Sequence, residues 1–298
     1  MPRIAYVNGQ YVPHNQAAVS IEDRGYQFSD GVYEVVAVMN GTIVDMAPHM
    51  ARLKGSLASL NIDMPMSDVA LDLVMRQLIR RNRLSYGILY MQITRGVAPR
   101  DHAFPVDLPP SLVMTCRSVP ASVAVAKARD GVSVRTLSED RWARPDIKSI
   151  SLLPNVLAKQ AAREAGDYEA WFVDADGNVT EGSSTNAWMV TKDGRLVTRP
   201  LSQAILPGVV RAIMFELAEK LGLEIEERVF SVEEALAAKE AFVTSTGGVM
   251  PVVAIDGQTV ANGAPGDVTT TLVAAFRKHL ANQTDDAAAT LQTLSDPS

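Results

Sequence analysis

Several short segments of the 298-residue sequence carry side chains whose types and spacing suit cofactor or substrate chemistry. Lys148 lies in a polar stretch just before the apolar pair Leu152 and Leu153. A lysine amine is nucleophilic only when it is unprotonated, so partial desolvation would let Lys148 form a Schiff base with a carbonyl compound. A solvated loop lysine is the more ordinary interpretation of the same residues, and this stretch alone does not identify a catalytic lysine.

Three further segments combine small, hydroxyl-bearing or helix-starting residues. Residues 179–186, VTEGSSTN, place the carboxylate of Glu181 among hydroxyl groups, which suits the polar edge of a ligand or an ordinary turn. Residues 205–211, ILPGVVR, open a helix whose first backbone N–H groups can bind a phosphate. Residues 244–248, TSTGG, place hydroxyls beside paired glycines, which also suits phosphate. Each pattern is common, so none identifies a site by itself.

The N-terminal half contains a loop rich in cationic groups, residues 95–102, RGVAPRDH. The guanidinium of Arg100 matches a substrate carboxylate, because two parallel N–H groups can bind its two oxygens. A solvated basic loop is the alternative interpretation of the same residues.

Composition and the absence of known motifs exclude several classes of function. Acidic residues outnumber basic ones 34 to 28, for a net charge of -6, which argues against general nucleic-acid binding. One cysteine cannot form an internal disulfide, and the four histidines lack metal-ligand spacing, so no metal site is predicted. The sequence has no Walker A, GxSxG, HExxH or GxGxxG motif. Without a secretory signal or a membrane-length apolar run, we expect a cytoplasmic enzyme.

The elements that must position these residues follow from turn signals and apolar spacing. Asn-Gly pairs at 8–9 and 40–41 predict two β-hairpin turns. Apolar residues three and four apart predict a helix over 47–60, and a second runs from an N-cap at Ser67 to about Asn82. The residues of this second helix expected to face inward are Val69, Leu73 and Leu78.

The predicted elements divide the chain into two domains and a tail. We assign residues 1–119 to a smaller N-terminal domain, 120–130 to an interdomain connection and 131–281 to a C-terminal domain. Residues 282–298 lack a convincing apolar stripe, so we expect a disordered tail.

Taken together and in order, these segments resemble the fold-type IV pyridoxal-phosphate enzymes, and most closely their D-amino-acid aminotransferases. The resemblance covers about Ala5 to His279 and rests on three stretches: ITRGVAPRDHAFP at 93–105, DIKSISLLPNVLAKQAAREAGDYEA at 146–170 and VTEGSSTNAWMV at 179–190. It implies an α/β fold (two-domain α+β), with a smaller N-terminal α/β domain, a larger C-terminal domain with a β-barrel-like core, and the cofactor between them.

The resemblance also implies the residues that bind pyridoxal 5'-phosphate. Lys148 would hold it as a Schiff base and move the proton between the substrate Cα and the cofactor. Glu181 would accept a hydrogen bond from the pyridine nitrogen and keep it protonated, and Leu206 would press on the ring face opposite the lysine. Val210 stands where family members often carry threonine, so only its N–H would reach the phosphate. The residues implied around the phosphate are Arg52, Val209, Val210, Ser245 and Thr246.

On the substrate side, Tyr33, Arg100 and His102 match the residues that hold the α-carboxylate in D-amino-acid aminotransferases. In that subfamily the arginine and histidine come from the neighbouring subunit, which implies a homodimer. The resemblance therefore predicts a ping-pong transaminase that moves the amino group of a D-alanine-like amino acid to 2-oxoglutarate or pyruvate. The alternatives within the fold are a branched-chain L-amino-acid transaminase, an (R)-amine transaminase and an aminodeoxychorismate lyase-like enzyme.

Overall fold

The computed structural model describes residues 3–295, with side chains described as far as Thr284. Contacts divide these residues into two compact units. The first comprises residues 3–121, 147–151 and 282–295, and the second comprises residues 122–146 and 152–281. The units differ from the predicted domains, because the segment around Lys148 belongs to the first unit and most of the predicted connection belongs to the second.

The first unit is built on a six-stranded sheet whose paired strands are all antiparallel, in the order β2-β1-β6-β5-β3-β4. Its strands are β1 Ile4–Val7, β2 Gln10–Pro13, β3 Gly31–Met39, β4 Thr42–Ile43, β5 Tyr86–Thr94 and β6 Ser111–Ser118. Its helices are α1 Arg24–Phe28, α2 Met46–Ser59 and α3 Asp68–Asn82, and a short 3-10 helix spans His14–Gln16. The apolar faces of α2 and α3 and the buried side of β3 and β5 form one core.

Both predicted hairpin turns and both predicted helices of this unit are confirmed. Asn8 and Gly9 join β1 to β2, and Asn40 and Gly41 join β3 to β4, with positive φ at all four residues. Asparagine and glycine adopt positive φ at little cost, which is why these pairs set the turns. Helix α3 begins after Ser67, whose hydroxyl accepts a hydrogen bond from the N–H of Ala70.

The prediction of the buried face of α3 is wrong in part. Leu78 is fully buried as expected, but Val69 and Leu73 are 73% and 60% exposed. The core-facing residues are instead Leu71, Met75, Leu78 and Ile79. The helix has two partly apolar faces, one with Val69 and Leu73 and one with Leu71, Met75 and Leu78. The second face packs against the core.

The second unit contains a nine-stranded mixed sheet in the order β12-β11-β10-β13-β14-β7-β8-β9, with β15 paired to β14. Its strands are β7 Val132–Ser138, β8 Glu169–Val173, β9 Val179–Gly182, β10 Asn186–Val190, β11 Leu196–Thr198, β12 Ile225–Glu227, β13 Glu240–Ser245, β14 Gly248–Ile255 and β15 Gln258–Thr259. Its helices are α4 Ala121–Asp130, α5 Leu153–Glu164, α6 Val209–Leu221, α7 Val232–Ala237 and α8 Asp267–Ser295. Helix α4 covers most of the predicted connection, and the residues of α8 from 282 onward belong to the first unit.

The second sheet must curl back on itself. Strand β9 ends the order of strands and β10 lies five positions away, which in a flat sheet is about 24 Å. Only residues 183–185 connect them, and the four steps from Gly182 to Asn186 reach at most about 14 Å. This curled sheet agrees with the barrel-like core expected for the C-terminal domain, and the α/β fold class is confirmed.

The tail predicted to be disordered from residue 282 is instead helical, because α8 continues to Ser295; residues 296–298 lie outside the described part of the chain. Contacts of Gln283 with Asp45 explain part of this difference between the predicted and the observed tail. The amide oxygen of Gln283 accepts from the N–H of Asp45 at 2.7 Å, and its Nε2 donates to the Asp45 carboxylate at 2.6 Å. The alanines and leucines that follow are also strong helix formers. No helix in the described residues has both the length and the apolar character to cross a membrane.

Helix α3 provides a direct test of the buried face. Leu78→Ala should lower the free energy of unfolding by about 2–5 kcal/mol, because it leaves a cavity in the core. The matched change Leu73→Ala, on the exposed face, should change it by less than about 0.5 kcal/mol. Urea denaturation followed by circular dichroism measures both. Equal losses in the two variants would contradict the observed face.

Candidate active site

Lys148 is held through its backbone by two elements of the first unit. Its N–H donates to the hydroxyl of Ser56 in α2 at 3.1 Å, and its carbonyl accepts from the N–H of Tyr33 in β3 at 3.0 Å. Ser149 forms a β-bridge with Val32 of the same strand. The residue that the sequence singles out as a Schiff-base lysine therefore has a fixed backbone and a partly buried side chain.

The amine of Lys148 lies on an aromatic surface. Its Nζ is 4.2 Å from the centroid of the Tyr33 ring, which stacks on Tyr90 with centroids 5.7 Å apart. The Tyr90 hydroxyl donates to Oε1 of Gln92, and burial, followed by the effect of Tyr33, raises its pKa to about 12. A neutral aromatic face shields one side of the amine from water and attracts its protonated form. The structure thus brings together Tyr33 and Lys148, two of the predicted site residues.

Arg52 is part of a buried charged cluster with Glu34 and His49. Its Nε and Nη2 donate to the two carboxylate oxygens of Glu34 at 2.7 and 2.9 Å, and Nδ1 of His49 lies 2.8 Å from Oε2. Burial alone would raise the pKa of Glu34, but the hydrogen bonds from Arg52 and His49 and the charges of Arg52 and Lys148 lower it to about 2. Glu34 therefore stays ionised and fixes the guanidinium of Arg52.

In the second unit, Glu181 lies in β9 and is almost fully buried. Arg141 Nη1 donates to Oε1, Asn186 Nδ2 donates to Oε2 at 3.0 Å, and the N–H of Leu206 is 3.1 Å from both oxygens. Burial raises the pKa of Glu181 to about 7, against the lowering effects of Arg141 and the Leu206 N–H. The structure thus connects two of the predicted site residues, because the backbone N–H of Leu206 donates to the carboxylate of Glu181.

Arg141 serves two carboxylates at once. Its Nη2 and Nε donate to the carboxylate of Glu139 at 2.5 and 2.8 Å, while Nη1 binds Glu181. Its guanidinium also lies over the ring of Phe172, 4.7 Å from the centroid. With both glutamates ionised, this group carries one net negative charge. A further N–H donor that brings a positive charge would therefore be stabilised at Glu181.

Helix α6 begins at Val209 without a side-chain cap, after Gly208. A Cβ at Gly208 would fall 1.9 Å from the side-chain oxygen of Asn186, so only glycine permits this close approach. The N–H groups of Val209 and Val210 stand in the first turn, where helices bind phosphate. Ser245 ends β13 and Thr246 starts the turn to β14 in the same unit.

Arg100 and His102 lie on the exposed loop between β5 and β6 of the first unit. The guanidinium carbon of Arg100 lies 4.5 Å from the centroid of the Phe28 ring, and the centroid of the His102 ring lies 5.3 Å from that of Phe28. Phe28 therefore brings these two predicted substrate-binding residues together.

Three residues that were not predicted from the sequence hold the predicted ones in place: Glu34, His49 and Arg141. A signal for Glu34 is present in the alternation of β3, because Val32, Glu34, Val36 and Val38 share the buried face. A carboxylate on a buried face needs a partner, and Arg52 and His49 lie at a helical spacing of three residues. Arg141 carries no comparable local signal, because its contacts with Glu181 and Ala204 come from distant parts of the sequence.

The Glu34 cluster yields a stability prediction. Glu34→Gln should lower the free energy of unfolding at pH 7 by roughly 3–5 kcal/mol, because Arg52 loses its buried counter-charge. Since the pKa is lowered to about 2, the wild-type advantage should be lost as the pH falls from 4.5 through about 2. The control Asp68→Asn, which breaks an exposed pair with Lys54, should cost less than about 1 kcal/mol. Similar losses in both variants would contradict the prediction.

Glu181 yields the opposite pH dependence. Because its pKa is raised to about 7, the folded protein without bound cofactor should lose stability as the pH rises from 4.5 through 7. Glu181→Gln removes this titration, so its stability relative to wild type should increase by about 2–3 kcal/mol between pH 5 and pH 8. Thermal unfolding measures the difference. The exposed control Glu233→Gln should show no such increase, and a flat difference for Glu181→Gln would refute the raised pKa.

Comparison with known proteins places this geometry in a family. The family model for amino-transferase class IV matches residues 31–255. D-alanine aminotransferases of Bacillus licheniformis and Staphylococcus haemolyticus are 41% and 37% identical, covering 93% and 92% of this chain and 97% of each relative. A solved branched-chain amino acid aminotransferase of Escherichia coli is 25% identical with a TM-score of 0.88, over 94% of this chain and 95% of its own. The chain belongs to the class IV aminotransferases, whose fold is the fold-type IV fold.

Proposed function

We propose that this aminotransferase moves the amino group of a D-amino acid resembling D-alanine to a 2-oxo acid, 2-oxoglutarate or pyruvate, by a ping-pong mechanism. Relatives at 37–41% identity over nearly the whole chain are D-alanine aminotransferases, which supports a D-amino acid as donor. The main structural support for an amino-acid substrate is that Arg100 and His102 both contact the ring of Phe28 and so lie close together. A guanidinium and an imidazole are suited to binding a carboxylate. The expected location of the enzyme, the cytoplasm, is part of this proposal.

Class IV aminotransferases use pyridoxal 5'-phosphate, and the residues present here fit that cofactor. Glu181 shares its one guanidinium with Glu139, so it suits an added N–H donor such as a protonated pyridine nitrogen. Lys148 offers an amine on an aromatic face, and α6 starts without a side-chain cap. When bound, the cofactor carries the amino group between substrates and withdraws electrons from the substrate Cα.

The protein residues then have distinct proposed roles. Lys148 would hold the cofactor covalently through Nζ and, once the substrate amine has displaced Nζ, would carry the proton to and from the substrate Cα. Glu181 accepts the hydrogen bond from the ring nitrogen and keeps that nitrogen protonated, and Leu206 contacts the ring. Glu34 holds Arg52 for the phosphate. The other residues proposed around the phosphate are Val209, Val210, Ser245 and Thr246.

Tyr33, Arg100 and His102 are proposed to bind the substrate carboxylate, with the last two acting in the partner subunit of a homodimer. An exposed apolar surface around their loop supports such an interface. Ile21 and Val106 are 79% and 86% exposed, and the segments that carry them are joined by a bridge between Asp23 and Val97. Large exposed apolar residues on these two bridged segments are typical of an interaction surface.

A branched-chain L-amino-acid transaminase is the second candidate. The TM-score of 0.88 with the Escherichia coli branched-chain enzyme favours it. The visible absorption of the purified enzyme with bound cofactor separates the two proposals. Titration with D-alanine should remove the absorption of the starting form, whereas L-leucine should not. The opposite result would support a branched-chain L-amino-acid transaminase. A response to neither substrate would point to an (R)-amine or a lyase substrate.

Replacing the proposed Schiff-base lysine tests the chemistry itself. Lys148→Ala should reduce pyruvate formation from D-alanine by at least about 10²–10⁴-fold, because both the covalent anchor and the proton carrier are lost. Lys192→Ala, at an exposed lysine of the second unit, should retain normal turnover. Pyruvate is measured with a coupled assay. Normal turnover by Lys148→Ala would exclude the assignment.

Replacing Arg100 tests the carboxylate contact. Arg100→Ala should raise the KM for D-alanine by about tenfold or more, because charge-assisted pairing with the carboxylate is lost. The rate with D-alaninol, which has a hydroxymethyl group instead of the carboxylate, should change little. Steady-state and single-turnover assays measure both substrates. A comparable loss with both substrates would rule out a contact specific for the carboxylate.

A further inference from the structure

The loop that carries Arg100 and His102 is exposed, yet it is attached to the protein core by a buried arginine. Arg24 is 3% exposed and belongs to α1. Its Nη1 donates to the carbonyl of Asp101 at 2.5 Å, and its Nη2 donates to the carbonyl of His102 at 3.4 Å. One guanidinium therefore fixes two successive carbonyl groups of the loop, at and beside the proposed substrate-binding residues.

Arg24 is itself held by hydrogen bonds to Asp30 and Gly96. Its Nε donates to Oδ2 of Asp30 at 2.8 Å, and its backbone N–H donates to the carbonyl of Gly96 at 2.9 Å. Asp30 also accepts two hydrogen bonds from Arg95, at 2.8 and 3.0 Å. Arg95 continues to the carbonyls of Leu60 and Asn61 just beyond α2. This chain of charged contacts connects the loop to the end of α2, part of the core of the first unit.

Phe28, at the end of α1, adds a second attachment. Its ring lies 4.9 Å from the guanidinium carbon of Arg24 and 4.5 Å from that of Arg100. His102 stands 5.3 Å from the same ring. One aromatic ring thus contacts the buried arginine and both proposed substrate-binding side chains.

We propose that Arg24 is a positioning residue for the substrate-carboxylate site, acting through the loop that carries Arg100 and His102. The inference rests on the proposed function of those two residues. Arginine is required because its planar group directs several N–H donors at once to a carboxylate and two carbonyls, which a lysine ammonium cannot reproduce. Without Arg24, two carbonyls and Asp30 lose a donor, and the loop loses its fixed backbone at the residues that bind substrate.

The half-reaction with D-alanine or D-alaninol, followed by cofactor absorbance of the holoenzyme, tests this role. Arg24→Met should lower the second-order rate constant for D-alanine by about tenfold or more and that for D-alaninol by less than about twofold. In the Arg100→Ala background the same change should have a smaller effect than in wild type, because both residues act on one contact. Arg199→Met, which removes an arginine bound to Asp174 and to a carbonyl, should affect neither substrate.

Hydrogen exchange provides a readout that does not need turnover. Arg24→Met should speed amide exchange in residues 99–104 and leave the β3–β5 strand pair protected. Equal rate losses with both substrates, or unchanged rates and exchange, would overturn the proposal. If Arg24→Met does not fold, Arg24→Lys should give a smaller loss selective for D-alanine, and its absence would equally overturn the proposal.

The two proposals can fail separately. If Arg100→Ala leaves the D-alanine rate unchanged, the carboxylate assignment is wrong and the role of Arg24 in it falls as well. If Arg100→Ala is selective for D-alanine but the Arg24 variants are not, only the role of Arg24 is wrong.

Discussion

The backbone hydrogen bonds between β3 and residues 147–151 determine where the candidate nucleophile lies. Tyr33 donates to Lys148, and Ile150 donates to Gly31, so a short segment from the middle of the sequence is added beside a strand from its beginning. Gly31 is needed there, since a Cβ would fall 2.6 Å from the carbonyl of Ile93. This attachment places Lys148 on the Tyr33 ring and within the electrostatic influence of Glu34.

Two buried glutamates show how the surroundings assign different chemistry to one residue type. Glu34 receives two hydrogen bonds from Arg52 and one from His49, and it is held ionised. Glu181 shares Arg141 with Glu139, and burial dominates its pKa. The first carboxylate is satisfied within the protein and orients an arginine. The second has only a shared guanidinium, so a positively charged N–H donor beside it would favour its ionised form.

Local sequence signals predicted the local structure well and the assembly of the site poorly. The Asn8-Gly9 turn, the Ser67 cap and the helix of residues 209–221 depend on neighbouring residues, so pattern reasoning found them. The buried face of α3 depends on which stripe the sheet selects. Lys148, Glu181 and Arg100 were linked as candidate site residues only by the resemblance to a family, because most of the contacts that fix them join residues far apart in the sequence. The tail helix likewise makes a contact that the local sequence does not reveal, because Gln283 binds Asp45, more than 200 residues away.

The discontinuity of the first unit has a consequence for biosynthesis. Residues 3–121 emerge first and contain the whole six-stranded sheet, but the Lys148 segment and the Gln283 contact with Asp45 complete the unit much later. At about 5–20 residues per second, the roughly 160 residues from 121 to 283 delay this completion by on the order of ten seconds. For the first few seconds of that time, until the roughly 30 residues from 121 to 151 have been added, the nascent sheet exists without the segment that bonds to the start of β3. Lys148 is therefore among the parts of the first unit that can be added only after its sheet has been synthesised.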